Sequence, residues 1–135
     1  MKKMMGLFIL VFLVGLIFQG FTTTSSEASY AEAPPTIKFP KKVDAVIQSK
    51  CYGCHSANGK SDKAKAALMW DDLAGLQPSE QAHKLEEISE VLSKGAMPPK
   101  GLVEKMPEKA LTMAEKTIMT KWAEKMSKKV KKKMM

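Results

Sequence analysis

The sequence is poor in several residue types: it contains no arginine, two cysteines, two histidines, two tryptophans and two tyrosines. Two cysteines are too few for a disulfide-rich small protein or for a zinc finger built from four cysteines. With 135 residues, the chain has room for one domain, which excludes a multidomain enzyme. What these scarce residues indicate about function therefore depends on their positions in the chain.

Positive charge is plentiful but unevenly placed, since all 22 basic residues are lysines and the formal net charge is +8. Residues 121–135 hold seven lysines and one acidic residue, a net charge of +6, whereas residues 32–120 hold thirteen lysines and twelve acidic residues, a net charge of +1. A lysine-rich tail is most often a solvated helix end, and its functional alternatives are adhesion to an anionic membrane or docking to an acidic partner. Nucleic acid is disfavoured, because arginine is absent and no aromatic residues alternate with the lysines.

The N-terminal segment has the pattern of an export signal. Two lysines near the start precede twelve residues without a polar side chain, 7–18, and a Thr/Ser run at 22–26 follows. This order predicts a signal peptide over residues 1–31, cleaved after Ala28 or Ala31. The alternative is an uncleaved anchor, because the apolar stretch approaches the length of a membrane-spanning helix. Both outcomes place the rest of the chain in the periplasm or on the outer face of the cytoplasmic membrane.

Both cysteines fall in one pentapeptide, Cys51-Tyr52-Gly53-Cys54-His55. This is the C-x-x-C-H signature by which c-type haem is attached. The two-residue spacer lets one helical turn present both thiols to the vinyl groups on one edge of the porphyrin. The next residue, His55, then lies under the iron as the proximal ligand. The motif predicts one covalently bound haem c with its iron.

Three other kinds of site could use the residues of this motif. A thioredoxin-like redox pair would need a βαβ setting, which the sequence lacks. A zinc site would need a fourth ligand, and the only other histidine is His83. A plain disulfide would leave His55 without a role.

Met97 is the predicted distal iron ligand. It follows Gly95 and precedes Pro98 and Pro99, so it lies in a stiffened loop. A thioether held there can reach the iron from the face opposite His55, and such ligation raises the reduction potential. Met106, which also precedes a proline, is the second choice. His83 and an open distal position are the remaining alternatives, and helical spacing turns His83 away from the apolar face of its helix.

The spacing of apolar residues predicts an all-α domain over residues 40–126, between a linker at 32–39 and a lysine-rich tail at 127–135. A haem enclosed in so small a domain would complete its apolar core. The predicted elements are a helix from about residue 41 into the haem motif, short helical turns within 66–76, a helix over 78–94 ended by Gly95, a ligand loop over 95–107, and a last helix opened by a capping box of Thr112 and Glu115.

With these motifs in place, the chain resembles class I c-type cytochromes, and more closely the family of small exported haem-binding domains with CYxCHS and a later MPP loop. The matching residues are 51–56 and 95–99, and the likeness extends over about residues 40–126. It implies a cytochrome c-like helical fold around one haem. Many members carry a Pro-Trp-Tyr segment soon after the haem motif, whereas residues 61–65 read Ser-Asp-Lys-Ala-Lys here.

The resemblance also implies roles for individual residues. Cys51 and Cys54 would be the haem attachments, His55 the proximal ligand and Met97 the distal ligand. We expect an electron carrier rather than an enzyme, with an acidic or membrane-bound redox partner. The alternative functions are a haem sensor or small-ligand binder with an open distal site and weak peroxidase activity, and a structural subunit of a respiratory complex.

Overall fold

The computed structural model describes residues 37–135, which form helices and turns without any strand. The predicted signal peptide lies outside the described residues. The all-α prediction is confirmed for residues 37–135, and none of the helices there is long and apolar enough to span a membrane. The helices are α1 (Lys41–Val46), α2 (Tyr52–His55), α3 (Asp62–Ala67), α4 (Trp70–Leu73), α5 (Pro78–Ser93), α6 (Lys100–Lys105) and α7 (Met113–Met134).

The helix predicted to run into the haem motif is present but changes its winding on the way. A π-helical turn, Ile47–Cys51, joins α1 to α2, so that the chain stays helical from Lys41 to His55. Val43 and Val46 bury their side chains in the core. Because π-helical turns shift the register of the side chains that follow them, this one helps set the direction in which the motif faces.

Helices α5 and α7 make the most extensive contact between any two elements of the described chain. Pro78 occupies the first turn of α5, where its missing N–H is not needed. Thr112 and Glu115 form the predicted capping box of α7, with the Glu115 N–H donating to Thr112 Oγ1 at 3.2 Å and the Thr112 N–H donating to Glu115 Oε2 at 2.8 Å. Local sequence signals therefore fix where both long helices begin.

The core lies between these two helices and the N-terminal helical stretch. Phe39, Trp70 and Trp122 form an aromatic cluster with ring centroids 5.4–6.2 Å apart. The indole N–H of Trp122 donates to the carbonyl of Lys38 at 3.1 Å, which ties the start of the described chain to α7. Each long helix buries one apolar face; the buried hydrophobic residues are Ala82, Leu85, Ile88 and Leu92 of α5, and Met119, Trp122, Ala123, Met126 and Val130 of α7.

The loop predicted over residues 95–107 is only partly a loop. Its second half contains α6, and a 3₁₀ turn, Pro107–Lys109, follows it. Gly101 lies inside α6 and none of the six residues of that helix is fully buried. The sequence therefore lacked the apolar periodicity that identifies a helix, and only the stretch up to Pro99 remains irregular.

The packed core also extends past both predicted domain boundaries. Ile37 is 3% exposed, although it precedes residue 40. Val130 is 0% exposed, although it follows residue 126 and has lysines on either side. It continues the spacing of four residues from Met126 along the packed face of α7. The first half of the lysine-rich tail is thus part of the folded domain.

Val130→Ala should therefore destabilise the domain. Removing two buried methyl groups should lower the free energy of unfolding by about 2 kcal/mol. The thermal midpoint should fall measurably, whereas Lys129→Ala at the exposed neighbouring position should leave it nearly unchanged. Equal midpoints for the two variants would mean that the tail does not contribute to the folded core.

Candidate functional site

The cysteines, His55 and Met97 meet at two adjoining cavities of about 380 and 460 Å³. Cys51, His55 and Met97 line both cavities, and Cys54 lines the larger. Each volume lies in the range of small-molecule and cofactor sites. The structure thus brings all four predicted site residues together, although they lie up to 46 positions apart in the sequence. The residues shared by the two cavities are Cys51, His55, Ala67, Leu92, Met97 and Leu111.

The ring of His55 is held by one hydrogen bond. Its Nδ1 lies 2.9 Å from the carbonyl oxygen of Leu68, in the segment between α3 and α4. A carbonyl oxygen can only accept, so Nδ1 carries the proton and Nε2 is left with a free lone pair. Such a partner on the second nitrogen fixes both the tautomer and the orientation of a metal-binding histidine. His55 is therefore set up to bind a metal through Nε2.

The two cysteines are free and half-buried. Burial, opposed by the positive charge of Lys109, raises the pKa of the Cys51 thiol to about 11. Redox-active and metal-binding cysteines have the opposite property, because their chemistry needs a thiolate near neutral pH. The surroundings of Cys51 thus argue against a thioredoxin-like pair.

Met97 is positioned by the end of α5. Gly95 has a φ of 66°, and the N–H groups of Gly95 and Ala96 donate to the carbonyls of Leu92 and Val91 at 3.1 and 2.8 Å. This is a Schellman motif, which turns the chain sharply at a left-handed glycine. The side chain of Met97, two residues later, is half-buried against the core.

The two alternative distal ligands lie elsewhere. Met106 is 39% exposed and lines neither of the two cavities. The His83 side chain is 69% exposed, and its Nδ1 lies 3.7 Å from a carboxylate oxygen of Glu87. The geometry favours Met97 over both.

Asp71 holds the haem motif in place, a role that no sequence pattern indicates. Tyr52 Oη donates to one oxygen of its carboxylate, and the Ala57 N–H donates to the other at 2.7 Å. The Tyr52 hydrogen bond, with that of Ala57, lowers the pKa of Asp71, and the same contact raises the pKa of Tyr52. One side chain of α4 thus holds the residues on both sides of Cys54 and His55.

Two lysines also fasten the π-helical turn to the 3₁₀ turn. The Lys50 ammonium donates to the carbonyl of Glu108, and the Lys109 ammonium donates to the carbonyl of Ser49 at 2.7 Å. These side chains come from segments nearly sixty residues apart, so no local pattern could reveal them. Lys50 itself lines the larger cavity, next to Cys51.

Gly59 allows the chain to fold back onto the motif. Its N–H donates to the carbonyl of Ser56 at 2.8 Å, and the following Lys60 N–H donates to that of Gly53 at 3.1 Å. A Cβ atom at Gly59 would lie 2.4 Å from the carbonyl oxygen of Cys54. The turn at Asn58-Gly59 therefore needs glycine because of this close approach.

The residues around the cavities fit a haem. The walls are mainly apolar. The charged residues of the smaller cavity are Lys84, Glu87 and Glu90 of α5 and Lys94 directly after it. Trp70 lines the smaller cavity, is 7% exposed and has no hydrogen-bond partner for its indole N–H within residues 37–135. Lysine ammonium groups and an indole N–H are suitable partners for the carboxylates that haem carries. Within the same residues, no group of three His, Cys, Asp or Glu side chains could hold a metal ion.

The comparison with protein families agrees with this site. Residues 59–125 match the model of the haem-binding domain family. The matched stretch includes Met97 and most of α7, and it begins after His55, so the C-x-x-C-H motif lies outside it. Neither the curated proteins nor the solved structures gave a match. The match supports a haem-binding domain in this chain, in agreement with the geometry of the cavities.

Gly59→Ala should distort the haem motif. The added Cβ would collide with backbone rather than with a flexible side chain, so we expect a loss of about 1–3 kcal/mol in the free energy of unfolding. Gly101→Ala is the matched control, because nothing lies within 4 Å of a Cβ there. Thermal unfolding of the haem-loaded chains measures both, and a control midpoint as low as that of Gly59→Ala would rule out the steric explanation.

Asp71→Asn should weaken the hydrogen bonds from Tyr52 and Ala57 in a pH-dependent way. Because the folded-state pKa of Asp71 is lowered, its charged form stabilises the fold above the unfolded value of about 3.9, and this contribution is lost as pH falls through the folded value. The thermal midpoint should therefore drop at pH 7, and the difference from the unsubstituted chain should narrow below about pH 4. Asp72→Asn, an exposed neighbour, serves as control; a constant difference at both pH values would contradict this role of the charge.

Proposed function

We propose that the protein is an exported c-type cytochrome that carries electrons on a single haem. The observation that supports this most strongly is the meeting of Cys51, Cys54, His55 and Met97 at adjoining apolar cavities, with His55 Nδ1 tied to a carbonyl. The family match supports haem itself. Covalent attachment and His/Met ligation are the finer parts of the proposal.

Each side chain has a distinct role in it. Cys51 and Cys54 would hold the porphyrin edge through thioethers, so that the cofactor is retained permanently. His55 Nε2 and the Met97 sulfur would be the two axial ligands, and a bound haem supplies one-electron chemistry at its iron. Apolar residues such as Leu92 and Leu111 exclude water from the site, which favours the less charged, reduced state.

If His55 and Met97 hold the iron as proposed, the chain would leave no position on the metal for a substrate. This is why we propose a carrier and not an enzyme. A redox partner would approach the larger cavity, which is lined by Cys54 and by the exposed Pro99 and Lys63. An acidic partner would be attracted by lysines near this edge, including Lys50. Its location in the periplasm or on the outer face of the cytoplasmic membrane depends on the signal at residues 1–31.

The absorption spectrum of the oxidised protein tests the ligand set. We expect a low-spin spectrum with the weak red band of a methionine sulfur bound to ferric iron. Met97→Ala should remove that band, give a five-coordinate or water-ligated haem and lower the reduction potential. Met106→Ala is the matched control, since Met106 lines neither cavity, and it should leave both properties unchanged.

Other outcomes separate the alternatives. Loss of the band in Met106→Ala, with Met97→Ala unchanged, would transfer the distal role to Met106. A high-spin spectrum of the unsubstituted protein, with rapid binding of carbon monoxide or cyanide, would overturn the carrier and favour the haem sensor. Mass spectrometry of the chain and of Cys51→Ala and Cys54→Ala shows separately whether haem is covalently attached.

A further inference from the structure

Helix α7 has a straight row of lysines on its outer surface. The spacings of four, three and four residues keep these side chains on one side of the helix over a length of about 16 Å. All of them are exposed. We call this row the lysine stripe; its members are Lys121, Lys125, Lys128 and Lys132.

The stripe is not explained by contacts within the domain. In the part of the chain that the structure describes, the ion pair between Lys131 and Glu86 is the one that involves a lysine of residues 121–135. A helix C-terminus favours positive charge, but only over its last turn, and α7 ends at Met134. Lys121 and Lys125 lie two or more turns before that end, so the helix dipole does not account for them.

The position of the stripe decides what kind of partner it fits. Met119 projects from the packed face of α7 and lines the smaller cavity, whereas Lys121 and Lys128 point to the opposite side of the helix. A redox protein bound to the stripe would have the whole of α7 between itself and the haem site. A surface that holds the protein without exchanging electrons, in contrast, would leave the cavity near Cys54 free.

We propose that the lysine stripe binds the surface of an anionic lipid bilayer. Lysine ammonium groups are point charges that need no fixed acceptor geometry, so a row of them suits a layer of phosphate headgroups. Met134, the last residue of the helix, and the following Met135 are 47% and 99% exposed, and these apolar side chains would enter the interface beside the charges. Of the two functional alternatives for the lysine-rich tail, the proposal therefore selects adhesion to an anionic membrane over docking to an acidic partner. This proposal does not depend on haem ligation and goes beyond the carrier function.

Co-sedimentation of the full chain with vesicles tests the proposal. Phosphatidylcholine vesicles with about a third phosphatidylglycerol are compared with pure phosphatidylcholine, which measures any binding through the N-terminal apolar segment alone. Anionic lipid should raise the partition coefficient about tenfold or more at low salt, and salt should reduce it. Replacing all four stripe lysines by glutamine should abolish this increase, because glutamine keeps helix propensity without charge.

The matched control removes the same number of charges elsewhere. Its substitutions are Lys41→Gln, Lys42→Gln, Lys60→Gln and Lys105→Gln, all at exposed positions. The control should retain most of the preference for anionic vesicles, and circular dichroism should show both variants to be as helical as the unsubstituted chain. If both variants lost the preference for anionic vesicles equally, binding would depend on net charge alone, and the proposal would be overturned. No preference for anionic vesicles, with slower reduction of the stripe variant by an acidic redox protein, would overturn it in favour of protein docking.

Discussion

The packing of α5 against α7 is the contact on which the rest of the structure depends. Leu85 and Met119 meet in the core that these helices share, and the other elements are placed relative to this pair. The end of α5 directs the chain towards Met97, and the indole of Trp122 on α7 holds the backbone before α1. Helix α2 is only four residues long and none of its residues is fully buried. The haem motif is therefore oriented by its contacts with other elements of the domain.

Sequence patterns were sufficient where the structure depends on nearby residues. The apolar period of α5 and the capping box of α7 predicted both long helices, since those signals act within one or two turns. Gly95 marked the end of α5 because a left-handed residue is needed there. The candidate site followed in part, because the C-x-x-C-H motif and the Met-Pro-Pro segment are local too. Their meeting at the same two cavities depends on tertiary packing, which no local sequence pattern contains.

What the sequence did not reveal depends on distant residues. Asp71 looks like any acidic residue of a short helix until Tyr52 and Ala57 are seen to donate to it. In the sequence, Lys50 and Lys109 resemble ordinary surface lysines. In the structure, each ammonium group donates a hydrogen bond to the backbone carbonyl of the residue that precedes the other lysine. Such polar contacts have no period and no fixed spacing.

The structure shows on which surfaces the lysines lie, which the net charge of +8 does not. Helix α7 separates two environments: its inner face contributes Met119 to an apolar cavity, and its outer face carries lysines with no partner in the described domain. Val130, buried although lysines flank it, packs this end of the helix onto the domain. A protein built in this way can be held at a charged surface by one side of a helix while the other side still protects the site. In the proposed function, attachment to a bilayer and electron exchange would not compete, because they would use different residues.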